Sequence, residues 1–305
     1  MKPIFFKENL HTLVWGTEEW SVSAVESSPS VVDGGEFADN ILTDIIAAHP
    51  VEILGQHVAE KYDNQLPLLA KIIDAHQNLS IQVHPNDEMA AREHGKRGKT
   101  EMWYIIDAEP DAFIYSGFKK ELTADEYKRQ VENGQITDSI ARHEAHKGDV
   151  FYLPAGRVHA ICGGIRLAEI QQSSDVTYRI YDYGRKGLDG KPRELHTELA
   201  AQAINFKVEK DYRTTYPTPQ NSAETCVDSD FFTVNIIESH RLLRRDLREK
   251  DSFIILMCLD GACVLRFDDE TEVQLTAGQS ILIPAQSPAY TIEPTVSVNM
   301  LEAYC

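Results

Sequence analysis

Three short segments of this 305-residue chain concentrate side chains able to hold a metal ion. The first is Leu79-Ser80-Ile81-Gln82-Val83-His84-Pro85-Asn86-Asp87. Residues two apart on a strand point to the same side, so Ser80, Gln82 and His84 share one face. A glutamine and a histidine on an otherwise apolar strand are costly to bury unless a metal or a hydrogen-bond network meets them. The second segment, Gly98-Lys99-Thr100-Glu101-Met102-Trp103-Tyr104-Ile105-Ile106, puts Glu101 at the mouth of another strand. In the third, Pro154-Ala155-Gly156-Arg157-Val158-His159-Ala160-Ile161, His159 follows a Pro/Gly turn and enters a strand. Taken singly, these residues read as a structural polar cluster and an exposed carboxylate. Taken together, Gln82, His84, Glu101 and His159 offer nitrogen and oxygen donors and no thiolate. That set suits a borderline divalent ion such as zinc, with a position open for water or substrate.

The elements that must position these residues are mostly strands. Asp149-Val150-Phe151-Tyr152-Leu153-Pro154, Phe253-Ile254-Ile255-Leu256-Met257-Cys258 and Ser280-Ile281-Leu282-Ile283-Pro284 are short, rich in β-branched and aromatic residues, and bounded by turn formers. A helix is predicted from Thr123, its N-cap, with Glu126 as the capping-box acid, ending at Asn133-Gly134. Another is predicted over His196 to Ala203, capped by Thr197. Gly148-Asp149-Val150-Phe151-Tyr152-Leu153-Pro154-Ala155 and Gly278-Gln279-Ser280-Ile281-Leu282-Ile283-Pro284-Ala285 share one pattern, which points to two copies of one β architecture. Eleven residues past the glycine stands His159 in the first copy and Ala289 in the second, so a ligand is expected only in the first. The Thr/Pro/Ser-rich stretch 211–230 reads as a linker. The expected organisation is therefore a metal-binding domain over 1–210 with a helical segment near 119–134, a linker over 211–230, and a ligand-free C-terminal domain over 231–305.

Composition narrows the function classes. With 30 Lys+Arg against 48 Asp+Glu the formal net charge is −18, which argues against nucleic acid and against an anionic membrane surface as partners. A small anionic substrate needs cations that converge locally, and Arg185, Lys186, Lys191 and Arg193 crowd nine residues, as a solvated loop or as a phosphate-attracting rim. No stretch approaches the roughly 18 apolar residues of a membrane span. Five cysteines form no framework spacing, so a reduced, cytoplasmic protein is expected. Leu259-Asp260-Gly261-Ala262 reads as a tight hairpin around Asp-Gly that sets Cys258 opposite Cys263, most simply as two free buried thiols. Nothing in the sequence sets an oligomeric state.

Gly148-x5-Pro154-x-Gly156-x2-His159 resembles the second cupin motif, whose histidine is a metal ligand inside a β-barrel. More narrowly, Gln82-Val83-His84-Pro85-Asn86-Asp87, Lys99-Thr100-Glu101-Met102-Trp103 and Ala168-Glu169-Ile170-Gln171-Gln172-Ser173-Ser174-Asp175-Val176-Thr177-Tyr178-Arg179 look like the short bacterial form of type I mannose-6-phosphate isomerase. Trp15-Gly16-Thr17-Glu18-Glu19-Trp20-Ser21-Val22-Ser23, Pro67-Leu68-Leu69-Ala70-Lys71-Ile72-Ile73 and Asp189-Gly190-Lys191-Pro192-Arg193-Glu194-Leu195-His196 agree, and the motifs occur in order from about Trp15 onward. The resemblance implies a mainly β fold of two cupin-like jelly-roll barrels and a zinc-dependent aldose–ketose isomerase with one ion per chain. The implied substrate is a sugar phosphate, with mannose 6-phosphate and fructose 6-phosphate interconverted. The implied metal ligands are Gln82, His84, Glu101 and His159. The implied catalytic residues are Arg179, Lys99, Glu169 and Asp175, and the implied substrate contacts are Glu19, Lys71 and Ser80.

That chemistry is coherent with the residues. Moving a proton between C2 and C1 of an open-chain sugar passes through an enediol, whose developing charge needs a cation or donors nearby. A metal can polarise the carbonyl and a base must shuttle the proton. Arg179, always charged and planar, suits electrostatic stabilisation, or else it pairs with Asp175 structurally. Lys71 is a pocket cation or a snorkelling surface lysine. Trp103 and Tyr104 read as core packing. The alternative function is a metal-stabilised sugar-binding or regulatory cupin without turnover. An iron dioxygenase is disfavoured, because Gln82 stands where such sites place a histidine and Glu101 lies seventeen residues past His84.

Overall fold

The computed structural model describes all 305 residues, in two compact units assembled from separate stretches of chain. One unit comprises Leu10–Glu19 and Ile72–Thr214; the other comprises Met1–Asn9, Trp20–Lys71 and Thr215–Cys305. The protein is mainly β. No helix is long and apolar enough to cross a membrane.

The unit that carries the candidate ligands is built on two sheets. A five-stranded sheet runs in the order Tyr178–Tyr181, Ile81–Val83, His159–Ile161, Phe113–Phe118, Ile140–Glu144. A six-stranded sheet contains Leu68–Ala75, Ile165–Gln172, Glu101–Ala108 and Val150–Leu153 as successive neighbours. The two share a core in which Ile114 and Ile161 of the first pack with Trp103, Ile105, Leu153 and Leu167 of the second. Alternation along each strand sends one set of side chains inward and the other out. On the outer side of the five-stranded sheet, Ile81, Val83, Ala160, Tyr178 and Ile180 join Tyr127 and Ala200 in a second cluster that seats the helices.

The helix Ala124–Glu132 forms as predicted, with Thr123 as N-cap and the reciprocal Thr123–Glu126 capping box. The second predicted helix is Thr197–Ala203, and here the cap differs: His196 is the N-cap, without a side-chain bond, and Thr197 is the first helical residue. The His196 backbone is held instead, its N–H donating to the Arg179 carbonyl at 2.7 Å. Sequence reasoning placed no helix at Asp87–His94, which Asn86 caps by accepting from the Met89 N–H.

In the other unit six strands of an eight-stranded sheet run in the order Ile4–Phe5, Ser280–Ile283, Ile254–Phe267, Ala289–Tyr304, Thr233–Ser239, Ser222–Asp228, while Leu243–Asp246 pairs with Ala289–Tyr304 and Glu272–Thr276 with Ile254–Phe267. The predicted Asp-Gly hairpin is absent. Ile254–Phe267 is one strand that pairs with Ala289–Tyr304 on both sides of Gly261, so Cys258 and Cys263 lie on the same strand. Gly261 makes a bulge instead: its φ is +78°, and a Cβ there would sit 2.0 Å from the Ser297 carbonyl oxygen. All five cysteines are free. The repeated segments both form strands, Val150–Leu153 and Ser280–Ile283, and in each copy the next strand opens eleven residues past the glycine, at His159 and at Ala289. This unit also buries Glu302 completely. Arg245 Nε (2.9 Å), Asn235 Nδ2 (2.8 Å) and the Tyr290 hydroxyl all donate to its carboxylate, so the buried charge is paired within the chain.

Candidate metal centre and active site

His84, Glu101 and His159 converge with their ligand atoms within 4.8 Å of one another, all three buried. Glu101 opens its strand and faces His159 Nε2 at 3.2 Å through Oε1 and His84 Nε2 at 3.5 Å through Oε2. Each imidazole is oriented from behind. The Nδ1–H of His84 donates to the Val176 carbonyl at 2.9 Å, and that of His159 to the Arg157 carbonyl at 2.8 Å. These bonds fix the tautomers and turn both Nε2 lone pairs inward, the arrangement that metal-ligating histidines adopt. Neither Nε2, nor Oε1 of Glu101, has a hydrogen-bond partner, while Oε2 has the Lys99 ammonium beside it. Three unpartnered polar atoms at one buried point are costly in a folded chain, and a cation bound among them would satisfy them.

The electrostatics agree. Burial, reinforced by the nearby Lys99 ammonium, pushes the His84 pKa down to about 3, and burial lowers that of His159 as well, so both are neutral, as a ligand must be. Burial works to raise the Glu101 pKa, but the Lys99 ammonium leads the opposing influences, and the group is held ionised, well below the ordinary carboxylate range. Lys99 Nζ lies 3.0 Å from Glu101 Oε2 and is itself buried.

Local folding explains the placement. Asp87 Oδ1 accepts from the Gly98 N–H and from Gln172 Nε2, while Thr100 and Gln172 exchange backbone and side-chain bonds. The polar residues of segments 79–87, 98–106 and 168–179 thus tie those segments to one another, and His84, Lys99 and Glu101 are carried into register by them. Gln82 stands directly opposite His159 on one side and opposite Arg179 on the other, so the three occupy one row of the five-stranded sheet. Arg179 is half-buried. Its Nη1 donates to the Glu194 carbonyl at 2.9 Å, its Nε has no partner, and burial and the neighbouring Arg193 charge lower its pKa.

The remaining candidates divide. Glu169 is buried opposite Trp103, accepts from the Trp103 indole N–H at 2.7 Å, and Trp103 meets the His159 ring edge-on at 5.3 Å between centroids. Trp103 is therefore core packing and also a link from Glu169 to the cluster. Asp175 is not brought there; it is exposed and pairs with Lys96 at 2.6 Å, not with Arg179. Ser80 is buried next to Ile81–Val83, Glu19 is half-buried on Gly16–Val22, and the Lys71 ammonium is buried 5.0 Å from the Trp20 ring. Of the clustered cations, Arg185 and Arg193 both pair with the buried Asp182, which anchors the base of their loop. Sequence reasoning did not single out Gln171. It lies opposite Glu101, fully buried, with Nε2 donating to the carbonyls of Gln172 and Ser174 and Oε1 unpartnered. Its position two residues past Glu169, on the same strand face, was the available signal.

The chain matches the family described as phosphomannose isomerase type I, catalytic domain, over residues 15–129, and the mannose-6-phosphate isomerase cupin domain over residues 222–300. It is 34% identical to mannose-6-phosphate isomerase ManA of Bacillus subtilis, covering 85% of this chain and 86% of that protein. Identity to a mannose-6-phosphate isomerase of Streptococcus mutans is 33%, over 76% of this chain and 78% of that one. Among solved structures, the mannose 6-phosphate isomerase from Bacillus subtilis superposes with a TM-score of 0.90 at 29% identity, over 100% of both chains.

Proposed function

The chain belongs to the type I mannose-6-phosphate isomerase family, and from that premise we propose that it interconverts D-mannose 6-phosphate and D-fructose 6-phosphate with one zinc ion at His84, Glu101 and His159. The observation that carries the zinc reading is the convergence of three unpartnered buried atoms, His84 Nε2, His159 Nε2 and Glu101 Oε1. Two neutral imidazoles and a carboxylate suit zinc with an open position, and Gln82, next in register to His159, is the fourth donor. A zinc ion held there would supply Lewis-acid polarisation of the substrate carbonyl.

The rest is the work of the chain. In the aldose-to-ketose direction a proton leaves C2 and O1 gains one, giving the enediol; O2 then loses a proton and C1 gains one. Lys99 and Glu169, both buried, are the groups available to move these protons. Arg179 stabilises the negative charge that develops on the sugar oxygens, because its guanidinium is fixed by Glu194 and cannot lose its proton at working pH. Glu19 and Ser80 are assigned to sugar contacts on the family resemblance. The Arg185/Arg193 loop supplies local positive field for the phosphate in a chain of net charge −18. Five free cysteines fit a reducing compartment, and we place the protein in the cytoplasm.

The test is mannose 6-phosphate deuterated at C2, followed by NMR in ordinary water. Conversion with partial loss of the label to solvent is the result expected for proton transfer through an enediol. Full retention at C1 would indicate a hydride shift, and binding without conversion would support the sugar-binding alternative.

A further inference from the structure

The row that contains Arg179, Gln82 and His159 has a fourth member. Ser116, on Phe113–Phe118, lies directly across from His159 on the side away from Gln82. Directly opposed residues have Cβ atoms about 5 Å apart and share a face, so Ser116 stands beside His159 on the inner side of the sheet. Its neighbours Tyr115 and Ala160, also opposed to each other, belong to the outer cluster. The Ser116 hydroxyl is fully buried and has no hydrogen-bond partner. Native proteins seldom leave a hydroxyl in that state.

The backbone leaves the hydroxyl little freedom to find a partner. Its own carbonyl accepts from His143 Nε2 at 3.1 Å, and the next N–H, of Gly117, donates to the Val158 carbonyl at 2.8 Å. Pairing with Ile140–Glu144 shifts register between Tyr115 and Phe118, so the strand bulges at this point. Gly117 has φ +71°, and a Cβ there would lie 2.1 Å from the Tyr212 ring. Only glycine closes this bulge, and bulges next to sites re-aim side chains. The chain therefore holds a hydroxyl at a fixed point next to a candidate ligand and gives it nothing to bond.

We propose that Ser116 is a further substrate-positioning residue, whose hydroxyl hydrogen-bonds an O–H group of the open-chain sugar lying beside His159. The inference rests on the isomerase reading. The same O–H chemistry could come from a permanently held water, and the two sources give different results in Ser116→Ala. In that variant, kcat/KM for mannose 6-phosphate is expected to fall about tenfold, the loss of one neutral hydrogen bond. Calorimetric Kd for fructose 6-phosphate should weaken by a similar factor. Zinc content should not change, and the Tm of the metal-free protein should be equal to wild type or higher, since a buried orphan is removed. Ser116→Cys, of similar size with a weaker donor, should fall between. Wild-type kinetics and Kd in Ser116→Ala would overturn the proposal, and so would a lowered Tm with unchanged kinetics, the signature of a resident water. Absence of turnover in the wild-type protein would defeat the isomerase reading separately, while the fructose 6-phosphate Kd still reports on Ser116.

Discussion

Replacing Lys99 with methionine sets two cations in competition for one carboxylate. The Lys99 and Glu101 side chains are 7% and 0% exposed and lie 3.0 Å apart. In the metal-free protein the ammonium is the charge that balances Glu101, because burial keeps His84 and His159 neutral. Removing one partner of a buried pair costs about 3–5 kcal/mol. Unfolding entropy of about 2.1 cal/mol/K per residue, taken over 305 residues, gives roughly 0.64 kcal/mol/K. The Tm of metal-free Lys99→Met should therefore fall by about 5–8 °C. Zinc at a hundred times its Kd adds about 2.7 kcal/mol, or about 4 °C, to the wild type. In the variant the ion replaces the missing charge as well as binding its ligands, so its zinc-induced rise should exceed that of wild type and zinc should bind more tightly. Turnover should nevertheless fall, since Lys99 is assigned to the proton transfer. Calorimetric scans of chelated protein, with and without zinc, together with a turnover assay, separate these effects. A metal-free variant as stable as wild type, or a smaller rise with zinc, would show that the Lys99 ammonium does not balance Glu101.

Arg179→Ala should lower kcat on the order of 10²-fold with zinc content unchanged, and Arg179→Lys should recover only part, having the charge without the planar fork; a change confined to KM would reassign Arg179 to binding. Because the folded-state pKa of His84 lies near 3 and the unfolded value is about 6.5, its contribution is complete above about pH 6.5 and is lost as pH falls toward 3. Metal-free protein should thus lose about 1.36 kcal/mol per pH unit from this group across that window, measurable as urea midpoints and absent in His84→Gln. Arg245→Met leaves the fully buried Glu302 without its cation and should destabilise by about 3–5 kcal/mol in chemical denaturation, with zinc stoichiometry unaffected.

Much of the candidate site was legible because ligand chemistry is written in residue type and strand parity. Gln82 lies on the strand Ile81–Val83 with His84 just past its end, and His159 follows a Pro/Gly turn and opens its strand. Other features depended on information that local patterns do not carry. Asp-Gly at 260–261 favours a turn, but the cross-strand pairing with Ala289–Tyr304 continues through it and converts the turn into a bulge. Thr197 is a good cap in isolation, yet the Arg179 backbone holds His196 and moves the helix start by one residue. Asp175 sits four residues before Arg179, but its carboxylate turns outward to Lys96. Gln171 and Ser116 acquire meaning only from register, because what distinguishes them is an unpartnered atom opposite a ligand.

The proposed isomerisation requires an ion held by His84, Glu101 and His159. A coupled assay of fructose 6-phosphate formation from mannose 6-phosphate, on protein stripped by a chelator and shown metal-free by mass spectrometry, measures that requirement. The stripped protein should be inactive and should regain turnover at about one zinc per chain, whereas His159→Ala should stay inactive at the same zinc concentration. Full turnover by the stripped protein, or by His159→Ala without bound metal, would show that the reaction needs no ion at this site.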